Sequence, residues 1–299
     1  MSDIVLVKKS INELKKHAIQ NLKGKWGISV LVCFIATLFT GIFTFAANVS
    51  NLLYFISQRA YSSVNIWQTI AERTAIAGIL SRIGFLVNLL IGGCIAYGIY
   101  RFFLNLITNN NPKIENLFLG FKFFGKNFLI QLIIIIFTFL WTIVVYIPAA
   151  ILIAIVIIIS GLNPMHYSYT SPISFSIVTG LLVAVILITS FIIIYIITAR
   201  YAMSFFIFND NPEFDVMQCI KLSKKMMDGY KIRYFLLNLS FVGWDILATI
   251  PLGIGHLWLK PYKYATRASF YIDLKGEEEI KNVNIGEIIY SENNELHEK

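Results

Sequence analysis

Residues 127–160 read NFLIQLIIIIFTFLWTIVVYIPAAILIAIVIIIS, and residues 173–199 read ISFSIVTGLLVAVILITSFIIIYIITA. No Asp, Glu, Lys or Arg occurs anywhere from Asn127 to Ala199. A helix needs about 20 apolar residues to cross a hydrocarbon core roughly 30 Å thick. The run is too long for one crossing, and it is interrupted by the turn-forming residues SGLNP at 160–164. It therefore predicts two antiparallel transmembrane helices.

The composition of the whole chain supports the same interpretation. Of its 299 residues, 57% are hydrophobic and only 14% are charged, and the mean hydropathy is +0.69. Soluble domains have about 25% charged residues, so the composition predicts an all-α integral membrane protein. The net charge of +8 is carried beside the apolar segments. Anionic inner-leaflet lipids are therefore the expected partners of these cations, and nucleic acid is not. Partner proteins within the membrane are a further expectation.

Six segments have the length and polarity expected of transmembrane helices. They are residues 26–47, 83–107, 127–160, 173–206, 234–250 and 256–274. The sixth contains Lys260, Lys263 and Arg267, and a charge at the bilayer centre costs about 3 kcal/mol. Snorkelling lowers this cost near an interface, so six spans are predicted and five are the alternative. Residues 1–275 would form one integral membrane domain, followed by an acidic, mobile cytoplasmic tail at 276–299.

An internal repeat divides the predicted membrane domain. Asn109-Asn110-Asn111-Pro112 follows Arg101, and Asn209-Asp210-Asn211-Pro212 follows Arg200 at nearly the same distance. Asn is a favoured N-cap and Pro suits the first helical turn, so each motif is predicted to begin a helix. A third copy would begin at the capping-box pair Ser10 and Glu13. The predicted units are about 10–107, 112–207 and 212–274, and each contains a surface helix and a helical hairpin that ends at an Arg.

Each unit is predicted to start with an amphipathic helix that lies on the membrane surface. The apolar stripes of the three helices are Ile11, Leu14, Ala18 and Leu22; Ile114, Leu117, Phe118 and Phe121; and Val216, Cys219, Ile220, Ser223, Met227 and Tyr230. The alternative is an ordinary helix whose apolar face packs on the rest of the protein. Lysines cluster in the same segments, so the positive-inside rule places these segments and both termini in the cytoplasm. The loops at 48–75 and near His166 would face outward.

Asp245 is the one carboxylate that falls well inside a predicted span. Such a residue is a functional candidate, as a proton carrier or as the partner of a cation such as Arg101 or Arg200. A purely structural ion pair is the alternative. Arg101, Arg200 and Arg267 recur at equivalent positions and could bind a phosphate or lipid head group. Alternatively, they snorkel and fix the ends of their helices.

No sequence pattern predicts catalysis. The four histidines are scattered, and Cys33, Cys94 and Cys219 lack the spacing of a metal or redox site. Phosphate-binding loops, nucleophile elbows and zinc-protease helices are missing from the sequence. We therefore expect no catalytic residue, no cofactor site and no metal site, and we do not expect an enzyme.

The C-terminal part of the predicted domain carries a recognisable set of motifs. They are Gly229-Tyr230-Lys231, LSFVGW at 239–244, Gly253-Ile254-Gly255, LWLKPY at 257–262 and Phe270-Tyr271. With these motifs the chain resembles domain-of-unknown-function family 975, a group of bacterial integral membrane proteins. The resemblance implies a multi-pass protein of the bacterial cytoplasmic membrane and brings no known activity or site residues. We expect a non-catalytic protein that organises or senses membrane components; the alternative is a transporter of a small solute or lipid.

Overall fold

The computed structural model describes the backbone of residues 9–58, 66–161, 172–251 and 253–297, and side chains within 9–42, 46, 78–159, 177–251 and 253–276. The α-helices are α1 Ile11–Leu22, α2 Trp26–Gln58, α3 Ile66–Ile107, α4 Phe124–Gly161, α5 Pro172–Thr198, α6 Ser204–Asp210, α7 Val216–Met226, α8 Lys231–Leu239, α9 Val242–Thr249 and α10 His256–His297. A 3₁₀ helix at Ile114–Phe123 precedes α4, and a short one at Ala199–Tyr201 follows α5. No strand occurs in these ranges, so the all-α prediction is confirmed.

Three helical segments of the described chain are long and apolar enough to cross a membrane: Gly78–Ile107, Ile114–Ile159 and Ile177–Asp210. A fourth is added if α1 and α2, which meet at an angle of 100°, are counted together. Many Ile, Leu, Val and Phe side chains of these helices are exposed on the surface of the protein. A protein with this surface is expected to lie within a bilayer.

The first hairpin is longer than predicted. α2 continues to Gln58 and α3 begins at Ile66, so most of the loop predicted at 48–75 is helical and that prediction is wrong. Residues 48–75 contain no Gly or Pro, the residues that most often end a helix. Residues 59–65 lie outside the described chain, as do residues 162–171 with the predicted turn beyond Gly161 and His166.

The fifth predicted span is not one helix. Residues 234–250 are divided between α8 and α9, which are interrupted at Ser240 and Phe241. At 1.5 Å per residue, helices of nine and eight residues are each only about 12–14 Å long, less than half of the hydrocarbon thickness. The break is stabilised by Lys15, whose ammonium donates to the Ser240 carbonyl at 3.1 Å and lies 4.2 Å from the centre of the Phe241 ring. The six-span arrangement is therefore not confirmed.

The sixth predicted span is the first half of α10. Its inner face is covered by protein, with Ala265, Ala268, Phe270, Tyr271 and Leu274 all buried in the main core. α10 then continues without interruption to His297. The backbone of the predicted acidic tail is therefore helical as far as His297.

The amphipathic helices α1 and α7 turn their apolar faces toward the protein. Leu14, Ala18 and Leu22 are fully buried, and α1 packs mainly against α10. The predicted stripe of α7 is likewise buried, except at Tyr230, which is half-buried. The capping box of Ser10 and Glu13 is confirmed. The packing of both apolar faces corresponds to the alternative interpretation, in which these helices are part of the protein core.

The first Asn-Pro motif leads into a 3₁₀ helix, which changes the face that it buries. A 3₁₀ helix has three residues per turn, so residues 114, 117, 120 and 123 share one face. Leu117 and Gly120 are buried there, whereas Phe118 and Phe121 of the predicted stripe are exposed. The predicted capping role of both motifs is also wrong. The N-cap residues are Lys113 and Asp215, three or more residues beyond the first Asn of each motif.

Glycines allow the 3₁₀ helix to approach α3 at backbone distance. A Cβ added to Gly98 would lie 2.0 Å from the Leu117 carbonyl oxygen, and one added to Gly120 would lie 2.0 Å from the Cys94 carbonyl oxygen. Neither position can therefore hold a larger residue without a shift of the backbone. Close approach through small residues is a common way to pack helices in membranes.

We predict that Gly98→Ala lowers stability by about 1–3 kcal/mol, the usual cost of overpacking. Gly78→Ala is the matched control on the same helix, because its added Cβ meets no described atom within 4 Å. The control should be neutral or slightly stabilising, since Ala favours a helix over Gly by about 0.5–1 kcal/mol. Thermal unfolding of both purified variants in detergent checks this. Equal melting temperatures would contradict the close contact.

Candidate functional site

Asp245 forms an ion pair with a residue that the sequence analysis did not suggest. It lies in the first turn of α9, and its two carboxylate oxygens accept from Lys263 Nζ at 2.7 and 2.6 Å. His256 Nδ1 is 3.8 Å from Asp245 Oδ1. Neither Arg101 nor Arg200 pairs with it in the described chain. The pair joins the two arms of the α9–α10 hairpin, so its geometry fits a structural link across this hairpin.

Arg101 and Arg200 have different surroundings although their sequence positions are equivalent. Arg101 Nη1 donates to the Asn209 carbonyl at 3.0 Å. The Arg200 guanidinium lies 5.3 Å from the Trp141 ring centre, and its Nε is buried without a hydrogen-bond partner. Neither residue forms a salt bridge with a carboxylate within the described chain. Arg101 lies in the last turns of α3, and Arg200 lies in the short 3₁₀ helix that follows α5.

Arg267 on α10 lies in a cluster of tyrosines. Its Nε and Nη2 both donate to Asn238 Oδ1, at 3.2 and 2.8 Å. Its guanidinium carbon is 5.9 Å from the Tyr264 ring centre. The other tyrosines within interaction range of the guanidinium are Tyr234, Tyr100 and Tyr195. As with the other two arginines, no described carboxylate forms a salt bridge with it. We name Arg267 and these four tyrosines the Arg267 cluster.

A groove adjoins the Arg267 cluster within the apolar helices. It has a volume of about 280 Å³ and is bordered by α2, α3, α4, α6 and α10. Its polar lining residues are Thr40, Asn88, Tyr100, Gln131 and Tyr264. Tyr100 and Tyr264 therefore belong to both the groove and the Arg267 cluster. At 1.5 Å per residue, the groove extends about 18 Å along α3 from Tyr100 to Asn88.

An amide pair forms the end of the groove that is farthest from Arg267. Gln131 Nε2 donates to the Asn88 carbonyl at 3.0 Å. Gly92 and Gly93 make room for this side chain, since an added Cβ would lie 2.9 Å from Gln131 Nε2 or Oε1, respectively. The wall between the two ends is mainly apolar and contains Ile95, Ala96, Ile99 and Phe205. The groove thus has an apolar middle part and polar groups at both ends.

No sequence pattern described above predicted this groove. Asn88 and Gln131 are uncharged, so a search for intramembrane charges passes over them, yet an amide inside an apolar span is itself a signal. Gly92 and Gly93 are a second signal, because paired glycines in a span indicate close contact. The pairing of Lys263 with Asp245 could have been suggested by their common position in the last predicted hairpin.

We predict that the Asp245–Lys263 pair contributes to stability and that the double variant recovers much of the loss. The side chains are 34% and 22% exposed, between the regimes of exposed and buried pairs, so Asp245→Asn should cost about 1–3 kcal/mol. Asp245→Asn with Lys263→Met should cost less than the sum of the single variants. Thermal unfolding of all three variants in detergent measures the coupling.

The exposed pair of Asp228 and Lys231 provides the control, because Asp228 is 80% exposed and such pairs contribute little. Asp228→Asn should leave the melting temperature nearly unchanged. Additive effects of the Asp245 and Lys263 substitutions would show that their contact has no energetic role.

Residues 1–278 match the model of a family described as "Protein of unknown function (DUF975)". No curated protein and no solved structure shows significant similarity to the chain. The family match covers all of the predicted membrane domain and includes α9, the Arg267 cluster and the groove. It confirms the resemblance that the C-terminal motifs suggested, and the protein belongs to the DUF975 family.

Proposed function

We propose that this protein is a non-catalytic membrane protein that organises or senses membrane lipids, and that it does so by binding a lipid in the groove. The observation that carries this proposal is the position of the groove among helices whose outer surfaces are apolar and exposed. Ligand pockets are usually about 300–1,000 Å³, and the groove, at 280 Å³, suits one chain of a lipid. Its length of about 18 Å is close to one leaflet of a hydrocarbon core roughly 30 Å thick.

Exposed lysines support a second contact with lipid. Lys16, Lys23, Lys113, Lys122 and Lys221 are exposed on α1, the 3₁₀ helix, α7 and the segments beside them. Each lysine near an anionic surface contributes about 1 kcal/mol to binding. In this proposal the apolar faces of α1 and α7 hold the protein together, and the lysines on their outer sides contact anionic inner-leaflet lipids. Partner membrane proteins would bind to the exposed apolar helices.

A transporter of a small solute or lipid is the alternative function. It is favoured by the amide pair of Asn88 and Gln131, which places polar groups deep in the apolar helices. It is not favoured by Asp245, because this residue lies outside the groove and is paired with Lys263. Lipid movement between leaflets, measured with a fluorescent lipid in proteoliposomes, separates the two functions. A rate above that of protein-free vesicles would favour transport.

The proposed location is the bacterial cytoplasmic membrane, with the lysine-rich segments and both termini in the cytoplasm. Three hairpins would follow one another, as the repeat suggests. The shortness of α8 and α9 favours a third hairpin that enters the membrane and returns to the same side, rather than one that completes the fifth and sixth crossings. The turn at the tip of this hairpin contains Pro251 and Gly253, and Gly253 has a left-handed φ of 81°.

We predict that filling the groove reduces lipid retention. Ala96→Phe adds a ring to a groove wall, so a bound chain should be displaced. The full-length protein is extracted from membranes in mild detergent, and lipids that remain bound are counted by native mass spectrometry. Ala184→Phe on the exposed surface of α5 is the control and should retain as much lipid as the unaltered protein. Equal retention by both variants would argue against a lipid in the groove.

We also predict the side on which two positions are labelled. Lys113→Cys and Ile254→Cys are exposed positions, and a membrane-impermeant maleimide should not reach either from outside intact cells. Background labelling should be low, because the native cysteines are buried and burial raises the pKa of the Cys219 thiol to about 11. Labelling of Lys113→Cys only after permeabilisation supports the proposed orientation. Labelling of Ile254→Cys from outside would instead support six complete spans.

A further inference from the structure

We propose that the Arg267 cluster binds the phosphate of a phospholipid whose acyl chain lies in the groove. The inference rests on the proposed function, because it names the head-group chemistry of the lipid that the groove holds. It also gives Arg267 a role in ligand binding, in place of the alternative in which this residue only fixes the end of a helix. The evidence is the unused hydrogen-bonding capacity of this cluster and its connection to the groove.

Arg267 has donor capacity left after its contacts within the protein. Nε and Nη2 share a single acceptor, Asn238 Oδ1, and Nη1 donates to no group in the described chain. The charge has no carboxylate partner there either. Arg267 is half-buried, and a cation that is partly removed from solvent is normally paired, because an uncompensated charge there is unfavourable. A bound anion would supply the missing charge.

The four tyrosines provide neutral donors around the guanidinium. The hydroxyls of Tyr100, Tyr195, Tyr234 and Tyr264 make no hydrogen bond within the described part of the protein. Each can donate to an anionic oxygen, and none adds a negative charge that would repel it. Arg267 and these hydroxyls therefore form a set of donors suited to the several oxygens of a phosphate.

Tyr264 and Tyr100 connect the cluster to the groove. Tyr264 is three residues before Arg267 on α10, so the two side chains lie on the same face of the helix. The rings of Tyr264 and Tyr100 are 6.0 Å apart and edge to face, and both line the groove. A ligand with its phosphate at Arg267 can thus place an apolar chain against Ile99 and Ile95. Free phosphate would leave this apolar wall uncovered, so the ligand we assign is a lipid.

The test measures lipid retention by the full-length protein in nanodiscs that contain phosphatidylglycerol and diacylglycerol with the same acyl chains. These lipids differ in the phosphate-bearing head group, and both can fill the groove. After mild extraction, mass spectrometry should find phosphatidylglycerol retained about ten-fold over diacylglycerol, since hydrogen bonds to charged groups are among the strong ones. Arg267→Gln should abolish this preference and leave diacylglycerol retention unchanged.

Two further variants keep the result interpretable if Arg267→Gln folds poorly. Tyr264→Phe removes one hydroxyl and keeps the ring, and it should weaken the preference several-fold with an unchanged melting temperature. Arg82→Gln removes an exposed arginine of α3 and should retain the full preference. An unchanged preference in both Arg267→Gln and Tyr264→Phe would overturn the inference.

The outcomes separate this inference from the proposed function. If the unaltered protein retains both lipids equally and Ala96→Phe loses both, the groove binds lipid and the phosphate site is wrong. If Ala96→Phe changes nothing, both proposals fail. Inorganic phosphate is added in a parallel sample. Displacement of phosphatidylglycerol at millimolar phosphate would show a site for the free anion and would also overturn the assignment to a lipid.

Discussion

The hydrogen bonds of residues 209–214 join helices that the surrounding hydrocarbon cannot hold together. Apolar burial gives little net driving force between helices in lipid, so polar contacts and close packing must do this. Asn209 donates to the Tyr97 carbonyl of α3 and accepts from Arg101. Asp210 accepts from Tyr271 and Lys275 of α10. The adjacent turn accepts from Lys126 of α4, which reaches the Pro212 carbonyl at 2.8 Å and the Phe214 carbonyl at 3.1 Å.

The need for polar partners within the protein also explains where the chain departs from continuous transmembrane helices. A helix break inside a membrane leaves carbonyls that must find donors within the protein. At the break between α8 and α9, Lys15 donates to the Ser240 carbonyl, and Lys263 of α10 compensates the charge of Asp245 within α9. The chain can be interrupted between α8 and α9 because α1 and α10 provide polar partners for this segment. The long apolar helices α4 and α5 contain no comparable ion pair in their described side chains, and they can face lipid directly.

The sequence predicted the features that depend only on composition or on local residue spacing. The apolar run at 127–199 predicted α4 and α5, and the spacing of Ser10 and Glu13 predicted the start of α1. It was less informative where tertiary contacts decide. The stripe of Leu14, Ala18 and Leu22 is equally suited to a membrane surface and to a protein core, and only the position of α10 distinguishes the two. Periodicity of 3.6 also gave the wrong face for the 3₁₀ helix.

Arg267 was a candidate from the sequence, but the groove and the four tyrosines could not be predicted, because these residues are dispersed from Thr40 to Tyr264. A charged residue is conspicuous in an apolar segment, and for this reason Asp245 was a candidate functional residue. In the structure, the charged pair is satisfied within the protein, whereas the neutral amides and tyrosine hydroxyls line accessible space. An intramembrane carboxylate such as Asp245 is therefore a poor guide to a binding site when a nearby lysine neutralises it.

The three arginines show how far a repeat can be taken as evidence of a shared role. Their spacing in the sequence suggested equivalent positions, but each has a different partner: the Asn209 carbonyl, the Trp141 ring and the Asn238 side chain. What they share is the lack of a salt bridge to a described carboxylate. Arg233, by contrast, pairs with Asp273 at 2.6 Å. The charge of Arg233 is compensated by Asp273, whereas a cation held by neutral groups keeps a net charge that can attract an anionic ligand. Of the three arginines, only Arg267 is surrounded by residues, Tyr100 and Tyr264, that also line the groove. The repeat in the sequence therefore suggests three candidate residues, and the local surroundings favour one of them.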